Sequence, residues 1–180
     1  MNDQIEKRPA AFIDRDGTLV EEVNFLSRVE DLRVFPFTEE AIRLLRDQGF
    51  RIVVVTNQSG IGRRIYGESE MHSIHEAMQD QLGGAIDAFY FCPHLPDEGC
   101  RCRKPALGMI EDAVADLNID LERSWMIGDK NIDVFTGKNA GISSALVLTG
   151  YGTKHFSSLD SKPDIVAEDL LEAVKRIVHE

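Results

Sequence analysis

A chain of 180 residues, 43% hydrophobic and 28% charged, has the size and make-up of one compact domain with a real core, which excludes disorder. Its formal charge of -11 excludes a general binder of nucleic acid or anionic membrane, since both demand a basic face; any anionic ligand must meet local positive charge. No run approaches the roughly 18 apolar residues of a membrane span, and the opening MNDQIEKRPA lacks the apolar centre of a secretory signal, so the expectation is a cytoplasmic monomer with a single domain over residues 1–180.

In chain order, residues 10–13 form a short apolar run that ends on Asp14 and Asp16. A helix follows over 38–48, with Thr38 as its cap, Ile42, Leu44 and Leu45 on its inner side and Gly49 just past its end. The run RIVVV (51–55) leads into Thr56, Asn57, Gln58, Ser59 and Gly60, and a helix is expected over 69–82. A strand at 87–91 runs into a cysteine-rich loop, then Arg103 and Lys104, then a helix over 106–117. A strand at 124–127 leads to Gly128, Asp129, Lys130 and Asp133, which open a helix over 131–140. After a strand at 145–148, the Gly-, Ser- and Lys-bearing stretch 150–163 reads as a surface connection, and a last helix covers 168–178. His72 and His75, at helical spacing, are expected on a solvated face, and Trp125 in the core.

The strand runs are apolar without alternation, as strands covered on both faces are. Alternation with helices implies an α/β fold: a Rossmann-like parallel sheet with helices on both faces and ligands at the carboxyl ends of the strands. Four polar clusters fall at those ends, in Asp14/Asp16, Thr56–Gln58, Arg103/Lys104 and Asp129/Lys130/Asp133. Converging carboxylates repel one another unless a cation sits among them, and an all-oxygen ligand set favours magnesium. Magnesium with a lysine beside a nucleophilic aspartate is the equipment of phosphoryl transfer. Residues i and i+2 of an extended segment point the same way, so Asp14 and Asp16 can address one substrate, one attacking and the other moving a proton.

The loop CPHLPDEGCRC holds every cysteine of the chain. Cys92, His94, Cys100 and Cys102 supply the four ligands of a tetrahedral zinc site with no open position, a structural site, against the plainer reading of three free thiols and a surface histidine. Arg103 and Lys104 follow at once, so a loop stapled by zinc would hold them in place.

In order, DRDGT, TNQSG, RKP and GDKNID resemble the four motifs of the haloacid dehalogenase-like phosphatases, over most of the chain. The resemblance implies that Asp14 is the nucleophile that forms an aspartyl-phosphate and Asp16 the general acid and base. It implies magnesium on Asp14, the backbone carbonyl of Asp16 and Asp129, with Asp133 in support. Thr56, Asn57 and Gln58 would hold the phosphate, Lys104 would offset charge, and Arg103 and Lys130 would touch the sugar phosphate or hydroxyls, Arg103's planar fork suiting a second anion. No segment between the first two motifs is long enough for a large cap domain. Two branches of the family share the zinc loop, one acting on a heptose bisphosphate and the other on histidinol phosphate; Ser59, Lys130, EEVNFLS and VLTGYG resemble the sugar branch. Arg64 departs from the family, which carries a small residue there. A non-catalytic phosphosugar-binding scaffold would lack one of the two acids, and a phosphatase trimming nucleic-acid ends would show a basic stripe; neither fits this chain.

Overall fold

The computed structural model describes residues 6–179. The first five residues, part of the opening segment read above for a signal, lie outside the described residues, as does Glu180. The strands are β1 (Arg8–Ile13), β2 (Arg51–Asn57), β3 (Ala88–Cys92), β4 (Ile119–Gly128), β5 (Ser143–Val147) and β6 (Ile165–Ala167). The helices are α1 (Thr38–Asp47), α2 (Ser59–Gly62), α3 (Glu68–Gln81), α4 (Gly108–Leu117), α5 (Asn131–Ala140), α6 (Gly152–Phe156) and α7 (Leu170–Ile177).

The strands join one sheet in the order β3-β2-β1-β4-β5-β6, and every neighbouring pair is parallel. The apolar runs without alternation are explained by cover on both faces. Ala11, Ile13, Ile52, Val54 and Ile127 pack against α1, α3 and α7 through Ile42, Leu45, Ile74, Met78, Leu170 and Val174. Ala10, Phe12, Val53, Val55 and Met126 face Met109, Ile110 and Ala113 of α4. Each Val, Leu, Ile, Phe or Met among them, withdrawn from water, contributes roughly 1.5–3 kcal/mol. Trp125 joins the first cluster, as expected.

From β1 the chain works outward to β2 and β3, then returns to lay β4 on the other side of β1. That reversal opens a crevice beyond the carboxyl ends of β1 and β4, where side chains from both can meet a ligand. Between β1 and β2 the chain holds only loop, a 3-10 turn at Val29–Asp31 and α1, so no large cap covers the crevice.

Three expectations are corrected and one unforeseen strand appears. Thr38 does not cap α1: Phe37 takes that position, and the Thr38 hydroxyl donates to the Leu19 carbonyl at 2.8 Å, tying the helix to the loop after β1. β4 begins at Ile119, five residues early, with a register shift against β1 between Pro9 and Ala11. β6 has only three residues, too few to stand out as a run. The 150–163 connection carries α6 and begins inside the crevice, as shown below.

Candidate active site

β1 ends with the Asp14 amide donating to the Ile127 carbonyl of β4 at 2.9 Å, and the chain turns there, the Arg15 carbonyl accepting from Leu19 and Val20 amides. Gly17 makes the turn possible with φ of 85°. A Cβ at Gly17 would overlap the Asp129 carboxylate and come within 3.2 Å of the Gly150 Cα, so two glycines let the loops after β1 and β5 close over Asp129. Thr149 Oγ1 donates to the Gly17 carbonyl at 2.6 Å and the Tyr151 amide to Asp129 Oδ2 at 2.8 Å. The stretch from Gly150 is therefore part of the site's frame.

Inside the turn, Asp14 is 4% exposed and Asp129 and Asp133 are fully buried. Lys104 Nζ lies 3.0 Å from Asp14 Oδ1 and 2.7 Å from Asp133 Oδ1. Lys130 Nζ lies 3.5 Å from Asp14 Oδ2, 3.1 Å from Asp129 Oδ1 and 3.3 Å from the Asp16 carbonyl and from Glu22 Oε2. Burial works to raise the Asp14 carboxyl, but the two ammoniums outweigh it and hold it below the ordinary carboxylate range. Burial, with the Asp14 charge beside it, pushes Asp129 up to about 7, and burial also raises Asp133 against the pull of Lys104. Negative charge is thus in excess of what two lysines neutralise.

That excess fits a divalent cation. Ligating oxygens of Asp14, Asp129 and Asp133 all lie within 4.8 Å of one another. The Lys130 ammonium bonds oxygens of Asp14, Asp16 and Asp129, the set expected to bind magnesium, so a positive charge is already drawn to that point.

On the other side of Asp14, the Asp16 carboxylate accepts from Arg15, with Nη2 at 2.9 Å, and from Gln58 Nε2 at 2.9 Å. Gln58 also donates to Thr56 Oγ1 at 2.8 Å and accepts from the Tyr66 hydroxyl. Asn57 is spent on Lys104: its Oδ1 accepts from the Lys104 amide at 3.0 Å and its Nδ2 donates to the Lys104 carbonyl at 3.3 Å. Asn57 therefore fixes the lysine's backbone. Sequence reasoning missed Arg15, Glu22, Tyr66 and Tyr151; the one signal available for Arg15 was its place between the paired acids, where an unpartnered cation would be costly. His75 corrects the solvated-face expectation: it is 5% exposed, while His72 is exposed.

Asp14, Asp16, Thr56, Asn57 and Gln58 line a cavity of about 310 Å³ with Arg103, Lys104 and Lys130. Its rim comes from residues 22–26, from Tyr66 and from Tyr151, so short loops supply the wall that a cap would otherwise provide. Arg64, in the loop leading to Tyr66, has φ of 59°, a left-handed conformation that glycine adopts without strain.

The cysteine loop converges. His94 Nδ1 is 3.5 Å from Cys92 Sγ and 3.2 Å from Cys102 Sγ, and Cys100 Sγ is 3.5 Å from both other sulfurs. A zinc tetrahedron with Zn–S of about 2.3 Å has edges of roughly 3.7 Å, so the donor set fits with little adjustment. Burial pushes the Cys92 thiol above its ordinary value, which a bound cation would reverse. Arg103 Nη1 donates to the His94 carbonyl at 3.1 Å, linking the loop to the cavity wall.

A family model described as "HAD-hyrolase-like" matches residues 101–173. The D-glycero-D-manno-heptose-1,7-bisphosphate 7-phosphatase of Thermosynechococcus vestitus is 40% identical, over 94% of this chain and 95% of that one. The D-glycero-beta-D-manno-heptose-1,7-bisphosphate 7-phosphatase of Haemophilus ducreyi is 34% identical, over 93% and 97%. The crystal structure of D,D-heptose 1.7-bisphosphate phosphatase from B. bronchiseptica, complexed with magnesium and phosphate, superposes with a TM-score of 0.87 at 31% identity, covering 95% of this chain and 98% of that one.

Proposed function

The chain belongs to the haloacid dehalogenase-like phosphatases, and from that premise we propose that it removes the 7-phosphate of D-glycero-D-manno-heptose 1,7-bisphosphate, a step toward the nucleotide-activated heptose of lipopolysaccharide or surface glycan. The observation that carries the reading is the meeting of Asp14, Asp16 and Lys104 at one cavity, in a chain that matches phosphatases of that name over most of its length.

Asp14 is the nucleophile. Its carboxylate oxygen forms a bond to phosphorus as the bond to the sugar oxygen breaks, and Asp16 delivers a proton to that departing oxygen. Asp16, now a carboxylate, takes a proton from water, whose oxygen attacks phosphorus and releases inorganic phosphate from Asp14. Lys104, 3.0 Å from Asp14, balances charge throughout. Thr56 and Gln58 border the transferred group, and Arg103, whose planar fork suits a phosphate, meets the second one. Asp14, the Asp16 carbonyl and Asp129 would hold magnesium, with Asp133 behind them; when bound it neutralises phosphoryl oxygens and draws them into line. Zinc on Cys92, His94, Cys100 and Cys102 is structural.

The working form is taken to be a cytoplasmic monomer of one domain, acting on a small sugar phosphate with neither nucleic acid nor membrane as partner. The charge of -11 speaks against nucleic acid and anionic membrane as partners, and among the described residues no helix is long and apolar enough to cross a membrane. Phosphate release with magnesium from heptose 1,7-bisphosphate, fructose 1,6-bisphosphate and histidinol phosphate tests the reading. Heptose bisphosphate should lead, and Asp14→Asn should lose at least about a thousandfold, roughly 4 kcal/mol of barrier. Histidinol phosphate ahead by tenfold, about 1.4 kcal/mol, would reassign the enzyme to the other branch.

A further inference from the structure

From Asp16 a chain of contacts runs through Arg15, itself on the cavity wall, to the third strand. Arg15 is among the most buried side chains of the protein, 1% exposed. Its guanidinium places Nε and Nη2 on the Asp16 carboxylate, at 3.1 Å and 2.9 Å to Oδ2. The remaining corner, Nη1, lies 3.3 Å from His75 Nε2. His75, on α3, stacks on Phe89 of β3 with ring centroids 4.4 Å apart and planes 18° from parallel.

The direction of the Arg15–His75 bond is forced. A guanidinium has donors only, so His75 Nε2 must be bare and accepting, which puts the ring proton on Nδ1. The surroundings agree: burial first, then the charge of Arg15 and the neighbouring His72, hold the His75 pKa down at about 3. Glu76 is the acidic neighbour along the same cleft, which His72 and Gln79 also line. A side chain that only filled space here would be apolar, like the flanking Met71, Ile74 and Met78 of the same helix face. An imidazole in that row is costly unless its nitrogen is used.

We propose that His75 is a positioning residue for Asp16: its neutral ring, braced on Phe89, accepts from the back corner of the Arg15 guanidinium and keeps the fork square to the Asp16 carboxylate. Without that acceptor a buried N–H is left unpaired, and the guanidinium swings to find another partner, taking the carboxylate with it. Gln58 alone, at 2.9 Å on one oxygen, does not fix the plane of Asp16. The inference rests on the assignment of Asp16 as proton donor.

Two substrates and two variants test it. The parameter kcat/KM counts steps through the first irreversible one, in which the leaving oxygen departs. A sugar oxygen needs the proton of Asp16, whereas p-nitrophenolate leaves without one. His75→Leu should lose about tenfold in kcat/KM on the sugar phosphate, a fraction of what a general acid contributes, yet stay within about twofold on p-nitrophenyl phosphate. His75→Gln, whose Oε1 reaches the position of Nε2, should recover most of the loss. Equal losses on both substrates, or no recovery in a folded His75→Gln, would overturn the role. Long-range proton–nitrogen spectra of the wild-type enzyme give a test that needs no variant: between pH 6 and 8 the His75 ring should show a bare Nε2 and a protonated Nδ1, and the opposite tautomer would overturn the proposal. Asp16→Asn separates this from the premise. If it spares sugar-phosphate turnover, Asp16 is not the proton donor; if it is inactive there while His75→Leu affects both substrates alike, only the role of His75 is lost.

Discussion

Lys130 reaches into the crevice and lays its ammonium against oxygens of Asp14, Asp16 and Asp129, with Glu22 and the Tyr151 ring on its outer side. A divalent cation bound to those three oxygens must displace it, and Glu22 with the cavity is the direction left open. The lysine is thus a tethered competitor for the metal and a ready contact for a substrate anion. In Lys130→Met both the competition and the like-charge repulsion vanish, so magnesium should bind about tenfold tighter, roughly 1.4 kcal/mol. Calorimetric titration, or the rise in melting temperature on adding magnesium, reads this without turnover. Unchanged or weaker binding would show that the ammonium does not share the metal's place. The paired acids, Lys104 and Lys130 were legible because a D-x-D-G after an apolar run, an R-K-P before a helix and a G-D-K before a helix are local patterns. Tyr66 and His75 were not, because nothing at their own positions signals a contact, and Arg15 showed only its place between the acids while His75, its other partner, lies 60 residues away.

At the scale of elements, the strands were legible where burial on both faces leaves an unbroken apolar run, as in β2. They were lost where a strand has three residues, as in β6, or starts polar and irregular, as in the first half of β4 with Glu122 and Arg123 exposed. Thr38 looked like a cap because threonine favours that position, yet its hydroxyl was claimed by Leu19 across the loop. The zinc loop shows what such an element does for the site. Lys104 hangs on Asn57 through two backbone bonds and on two aspartates through its ammonium, so it keeps its place without zinc. Arg103 hangs on the His94 carbonyl, two residues from Cys92 and within the ligand set. Stripping zinc from the folded enzyme should therefore raise KM for the bisphosphate about tenfold, by roughly 1.5 kcal/mol for one hydrogen bond to a charged group, with kcat and magnesium affinity nearly kept. A zinc-free, folded enzyme with unchanged KM would sever the loop from substrate binding.

For the whole molecule, the parallel sheet brings buried charges together from distant segments, and their proton equilibria become part of the stability of the fold. Two groups pull in opposite directions. His75 has a folded pKa of about 3, well below the ordinary 6.5, so as pH falls through 6.5 the unfolded chain takes up a proton that the folded one refuses. Its contribution is intact above 6.5 and is lost progressively toward 3, with a limiting slope of about 1.4 kcal/mol per pH unit. Asp129, pushed up to about 7 from the ordinary 3.8 when no metal is bound, does the reverse. The folded chain holds a proton that the unfolded chain lacks between about 4 and 7, so this group favours folding as pH falls through that range. Wild-type stability alone would blend the two. The comparison with His75→Gln separates them, since the glutamine keeps the acceptor toward Arg15, cannot titrate, and leaves Asp129 unchanged. Measured by denaturant unfolding without added magnesium, the variant should gain on the wild type by about 2 kcal/mol between pH 6.5 and pH 4.5. Parallel curves over that range would mean that the His75 ring accepts a proton in the folded state, and with it that the Arg15 bond does not hold the ring neutral.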